Sequence, residues 1–133
     1  MPGQINRGSF LGDFLYKESQ KESNKIFVET GTWNGQGSTW CILQGIIDSK
    51  RDDCYFYTLE INPNVFYEAI DFLPKVPNFF LMLGKITDET LVLEEQDESF
   101  FRDVDRATQE EWLNNEKILL KNSQTHFLRF LKI

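Results

Sequence analysis

Apolar residues recur at helical spacing in Phe10, Leu11, Phe14 and Leu15, and the chain then turns polar across 17–25. This is the pattern of an amphipathic helix that covers something, with Ser9 placed to cap it. Residues 1–8 ahead of it read as an unstructured lead. A short apolar run follows, Ile26, Phe27 and Val28, ending at Glu29, Thr30 and Gly31. A run that is apolar throughout, rather than alternating, is what a buried parallel strand shows. A glycine-punctuated turn over 31–37 leads into a second helical stretch from Ser38 to about Asp48, with Trp40, Leu43 and Ile47 on one face.

Arg51, Asp52 and Asp53 break the pattern before a second strand over 55–61. Asn62 and Pro63 then start a helix, because Asn is a good N-cap and Pro fits the first helical position. Val65, Phe66, Ala69, Ile70 and Leu73 give that helix its apolar face, Pro74 stops it, and 79–83 is a third run of strand length. Helices alternating with strands build a parallel sheet through right-handed crossovers. The expected order places the Ile26 strand beside the Tyr55 strand, with the Phe79 strand outside that. Beyond Gly84 the pattern weakens. Thr108 and Glu111 form a capping box ahead of Trp112, which predicts a helix over 109–121, and the apolar tail 126–133 reads as a last helical turn or a short strand.

Composition narrows the function. The net charge of −7 argues against a nucleic-acid partner, since phosphate backbones require clustered Lys and Arg. Much of the acid falls within 87–117, the pattern of a solvated helical face or loop. Twelve Phe, four Tyr and three Trp are ample core material. Two cysteines, Cys41 and Cys54, are too few for a disulfide scaffold or a cysteine-rich zinc site, and are read as reduced thiols in a cytoplasmic protein. No signal-like start and no membrane-length apolar segment is visible.

The segment that carries chemistry is Glu29, Thr30, Gly31, Thr32, Trp33, Asn34, Gly35, Gln36, Gly37, at the junction of the first strand with the following helix. Glycines there allow a sharp turn and a close ligand approach, and the next helix start offers unpaired N–H groups. Ligands of open α/β sheets collect at the carboxyl ends of the strands. The dinucleotide fingerprint G-x-G-x-x-G is met at Gly35 and Gly37, but its third position is Trp40, which disfavours a nicotinamide dinucleotide.

The segment instead resembles the first motif of class I S-adenosylmethionine-dependent methyltransferases, E-x-G-x-x-x-G-x-G, as Glu29, Gly31, Gly35 and Gly37. That family also has an acid at the end of its second strand, where Glu60 stands. The resemblance covers 26–84. It implies a Rossmann-like α/β fold, with a parallel sheet and flanking helices, and divides the chain into a lead and helix (1–24), a cofactor-binding core (25–86) and an acidic loop with a helical region (87–133). It further implies that Gly31, Gly35 and Gly37 line the methionine and ribose of S-adenosylmethionine, and that Glu29 orients the loop and helps bind the amino group. Glu60 would accept from the ribose hydroxyls and Ile61 would pack on the adenine. Thr32 lies in the same turn, and Trp33 is placed either over the sulfonium, which an aromatic face attracts, or in a core or lid role. Lys85 stands where the family often has an acid that meets the adenine amino group, and Asp88 is the candidate substitute.

Other chemistries find little support. His126 is the only histidine and lies in an apolar tail, so no two-histidine metal site is expected, and neither a P-loop nor a G-x-S-x-G elbow is present. The catalytic residues and the methyl acceptor are not readable. Three strands are legible where the family has seven, so the expectation is a shortened or truncated member, incomplete as a catalyst, or one whose tail supplies an atypical fourth strand. A non-catalytic nucleotide-binding module and a NAD-dependent protein stay open as alternatives. If no strand covers the free side of the Ile26 strand, that edge is expected to draw a second copy into a homodimer.

Overall fold

A computed structural model describes residues 4–85 and, farther along, Ala107, Thr108, Glu110, Glu111, Asn114, Asn115 and Ile118. The chain divides into two compact units, Met1–Leu83 and Gly84–Ile133.

The first unit runs α1 (Phe10–Gln20), β1 (Ile26–Thr30), α2 (Ser38–Asp48), β2 (Tyr55–Glu60), α3 (Pro63–Phe72) and β3 (Phe79–Leu83). The strands form one parallel sheet in the order β1-β2-β3, with Ile26 opposite Tyr55 and Phe56 opposite Phe79. This is a short Rossmann-like α/β fold, with the strand order that the alternating pattern predicts. Successive right-handed crossovers that step in one direction put their helices on one side of the sheet. Accordingly Ile42, Leu43 and Ile46 of α2 and Ala69 and Leu73 at the end of α3 pack with Phe56, and Phe27, Phe79 and Leu81 pack against that cluster. Phe56 is 1% exposed and touches the rings of both Phe27 and Phe79. Burying a side chain of this kind contributes roughly 1.5–3 kcal/mol.

The opposite face departs from the expectation of buried strands. Ile26, Val28, Tyr55 and Phe80 are all about half exposed, and Tyr57 stacks on Phe80 at 5.0 Å. The apolar runs are continuous in sequence, yet burial alternates only toward the amino ends of the strands, since Leu59 and Met82, farther along this same face, are buried.

Local chemistry sets the helix ends. Ser9 caps α1 by accepting from the Gly12 N–H at 3.1 Å, and Asn62 caps α3 by accepting from Asn64, with Pro63 in the first turn. Two readings change. Residues 5–9 are pinned rather than loose: Arg7 pairs with Asp13 at 3.0 Å and lies 3.5 Å over the Tyr16 ring, and the Ser9 hydroxyl donates to the Asn6 carbonyl. The Gly8 N–H, with Arg7, holds the Asp13 carboxyl below its ordinary range. Of the apolar stripe of α1, Leu15 packs against the core, but Phe10, Leu11 and Phe14 face outward, Phe10 being 90% exposed. What α1 presents to α2 is instead a small-residue seam, where a Cβ on Gly45 would lie 2.5 Å from the Tyr16 carbonyl oxygen. Close helix approach requires small residues, so the stripe was displaced by Ser19 and Gly45, while Gly12 makes room for the Asn6 carbonyl, whose oxygen lies 1.9 Å from where its Cβ would stand. The same seam explains α2, which is buried at Thr39, Cys41, Ile42, Leu43, Gly45 and Ile46, while Ile47 is partly exposed. Cys41 and Cys54 are free and buried, and burial pushes both thiols up.

In the second unit, Glu110, Glu111, Asn114, Asn115 and Ile118 are helical, as predicted. Ala107 and Thr108 are already helical, so Thr108 is not the N-cap. The tail 126–133 and Asp88 lie outside the described residues. No helix among the described residues is long and apolar enough to cross a membrane.

Candidate functional site

The glycine turn grows out of the end of β1. The Gly31 and Thr32 N–H groups both donate to the Leu59 carbonyl, at 2.8 and 3.0 Å, so the turn is anchored on β2 before it leaves the sheet. The Gly35 N–H then closes a turn onto the Thr32 carbonyl at 3.1 Å. Gly31, Trp33 and Gly35 all have left-handed backbone, at φ 88°, 54° and 83°. For Trp33 this conformation costs about 1–2 kcal/mol. Its N–H donates to Glu60 Oε2 at 2.7 Å, which offsets part of that cost.

The glycines serve different ends. A Cβ on Gly35 would lie 2.8 Å from Leu73 Cγ, so this glycine is required by packing against the end of α3. A Cβ on Gly31 would meet nothing within 4 Å among the described residues, so relative to them the bare side of Gly31 is open. Gly37 stands at the N-cap of α2, where no side chain caps the helix, and a Cβ there would make only an ordinary contact with Ile5.

Two carboxylates brace this turn. Glu29 Oε1 accepts from the Thr58 hydroxyl at 2.7 Å and from the Thr39 hydroxyl, while Oε2 accepts from Ser38. Thr32 and Thr58 meet hydroxyl to hydroxyl at 2.5 Å. Glu60, 7% exposed, accepts from Trp33 on one oxygen and from the Asn62 N–H at 2.8 Å on the other. Each Glu60 oxygen keeps a second lone pair, since a carboxylate offers about four acceptor sites.

The structure thus brings Glu29, Gly31, Thr32, Trp33, Gly35, Gly37, Glu60 and Ile61 together at the carboxyl ends of β1 and β2. Trp33 is 38% exposed and Ile61, directly after β2, is half-buried. Lys85 is buried. Trp40, at the third position of the dinucleotide fingerprint, packs edge-on against Phe72 at 5.6 Å. Sequence reasoning missed Ser38, Thr39 and Thr58 as partners of Glu29, and Leu73 as the reason for Gly35. Thr58 did carry a signal, as the one aliphatic hydroxyl among the aromatic and apolar residues of β2. Among the described residues no group of three or more His, Cys, Asp or Glu is placed to hold a metal ion.

A comparison with protein-family models matches none, and a comparison with curated proteins likewise gives no match.

Proposed function

We propose that the chain binds S-adenosylmethionine at the carboxyl ends of β1 and β2 and works as a methyltransferase-type domain. The observation that carries this reading is the open side of Gly31 next to a buried Glu60 whose oxygens retain lone pairs. A carboxylate at a strand end suits a ribose, because it accepts two neighbouring hydroxyls side by side. Gly31 and the backbone of Thr32, with the start of α2 at Gly37, would border the methionine and ribose. Ile61 would pack on the adenine, and Trp33 offers an aromatic face to the sulfonium. Gly35 shapes the turn through Leu73.

The bound cofactor supplies an activated methyl group on its sulfonium. The residues of this chain bind and orient it, and transfer to an acceptor nucleophile would depend mainly on holding the two in line. We place the protein in the cytoplasm on its two free, buried thiols. Among the described residues β1 keeps an unpaired edge with Ile26 and Val28 exposed, and a second copy pairing there is expected to sediment as a dimer.

The test is calorimetric titration with S-adenosylmethionine, S-adenosylhomocysteine, NADH and ATP. The first two should bind, and Glu60→Ala should weaken them by roughly 1.5–3 kcal/mol, about tenfold to a hundredfold. A folded parent that binds neither, or a Glu60→Ala variant that binds as tightly, overturns the assignment.

A further inference from the structure

Glu29 is the residue that the methyltransferase resemblance assigns partly to the ligand's amino group. Its surroundings point elsewhere. It follows Phe27 by two residues on β1 and stands in register with Thr58, on the side of the sheet where α2 packs. There it receives Ser38 and Thr39 from the first turn of α2 and Thr58 from the central strand.

The protons in this group can be assigned, because each hydroxyl has one to give. Thr58 gives its proton to Glu29, so in the Thr32–Thr58 contact the donor is Thr32. Thr39 likewise gives its proton to Glu29, and its 3.5 Å approach to the Thr32 carbonyl adds little. The result is a directed relay. Thr32, in the glycine turn, donates to Thr58 in β2; Thr58, Thr39 and Ser38 all donate to Glu29 in β1. Thr32, Thr39 and Thr58 are each at most 2% exposed. The relay joins the turn, the start of α2 and two strands, its three threonines closed to solvent and its half-buried members being Glu29 and Ser38.

We propose that Glu29 and the Thr32–Thr58–Thr39 hydroxyls are positioning residues, which act on the bound ligand only by fixing the glycine turn and do not touch it. The proposal rests on the binding reading above, but its first consequence does not: the relay sets the order of the turn whether or not a ligand is present. Thr58→Val removes the central hydroxyl at nearly constant volume, stranding Thr32 and freeing one lone pair of Glu29. Thr58→Ser keeps the hydroxyl.

The experiment uses the full chain with both variants. Amide hydrogen exchange across 31–35 should quicken about tenfold in Thr58→Val and return toward the parent rate in Thr58→Ser, while exchange in α3 stays unchanged. Calorimetry with S-adenosylhomocysteine and with 5′-methylthioadenosine, which lacks the amino acid end, should show both weakened by the same factor, about tenfold. Glu29→Gln should follow the same equal-loss pattern. A loss confined to S-adenosylhomocysteine would mean that Glu29 meets the amino group, and unchanged exchange in Thr58→Val would mean that the relay does not hold the turn; either overturns the proposal. If the folded parent binds neither ligand, the binding reading falls, and the exchange rates alone still decide the role of the relay.

Discussion

The two ends of the sheet carry polar clusters of opposite construction. At the amino ends of the strands, Arg51 spends all its donors on fixed protein groups. It reaches the carbonyls of Ser19, Lys21 and Asn24 and both oxygens of Asp53, with its side chain 4% exposed. Lys25 adds a second ion pair to Asp53, and Asn78, ahead of β3, ties back to the Asp52 carbonyl. The cation there closes loops against one another and keeps no donor of its own unused. At the carboxyl ends the central groups are acids, Glu29 and Glu60, which accept from hydroxyls and backbone N–H groups of a turn. That turn has left-handed residues and one glycine open to space. The first cluster is organised for cohesion; the second holds a strained turn in place and keeps unused acceptor capacity beside it. Left-handed non-glycine backbone occurs at both ends, at Lys50 and Asn78 beside the first cluster and at Trp33 in the second, so what sets the carboxyl end apart is the spare acceptor capacity of Glu60 and the open side of Gly31.

The comparison is broken most directly at Arg51. Arg51→Ala strands three carbonyls and a carboxylate, and is expected to cost about 3 kcal/mol of stability, on the order of 10 °C in melting temperature. Arg51→Lys should recover little, because an ammonium cannot reproduce the planar fork. Ligand affinity of the folded variant should match the parent. Thermal unfolding with matched calorimetry is the check. A loss under about 1 kcal/mol, or a changed affinity, would erase the distinction between the two ends.

A finer division lies within the turn. Gly31→Ala and Gly35→Ala both place a Cβ on left-handed backbone, at about 1 kcal/mol each. Only Gly35→Ala also drives a Cβ into Leu73, and overpacking of that sort costs a further 1 kcal/mol or so. Gly35→Ala should therefore be the less stable variant by denaturant unfolding, and Gly31→Ala the weaker binder. The reverse ranking would mean that the open side of Gly31 is not where a ligand approaches.

The element order, the strand order and the caps at Ser9 and Asn62 were legible because they rest on local pattern and single side chains. The facing of α1 was not. Phe10, Leu11 and Phe14 look like a buried stripe, but a helix that must approach α2 closely is seated by what it lacks, and Ser19 and Gly45 carry no hydrophobic signal. The site was legible as a gathering of residues and opaque in its wiring. Sequence spacing brings Glu29 and Glu60 to the strand ends, but their partners come from other elements. The roles of Gly31 and Gly35 look alike in a motif and separate only when Leu73 is seen behind one of them.

The smallest effect expected is a pH dependence at the amino-end cluster. The Arg51 guanidinium, with Lys25, holds the Asp53 carboxyl well below the ordinary range for an aspartate, which is about 3.9. A carboxyl whose folded value is depressed contributes stability that is fully present above its unfolded value and is lost as pH falls through the folded one. The contribution should thus be intact at neutral pH and should fade from about pH 5 downward. Asp53→Asn removes it at every pH, so the stability gap between parent and variant should narrow steadily on acidification. Asp53 and Lys25 are both well exposed, at 38% and 57% of their side chains, so salt should also shrink the gap at neutral pH. Urea unfolding of the two proteins from pH 7 down to the acid limit of folding, at low and high salt, measures both trends. A gap that stays constant with pH would show that Asp53 contributes through hydrogen-bond geometry alone, since an asparagine at this position still has a carbonyl oxygen to accept from Arg51.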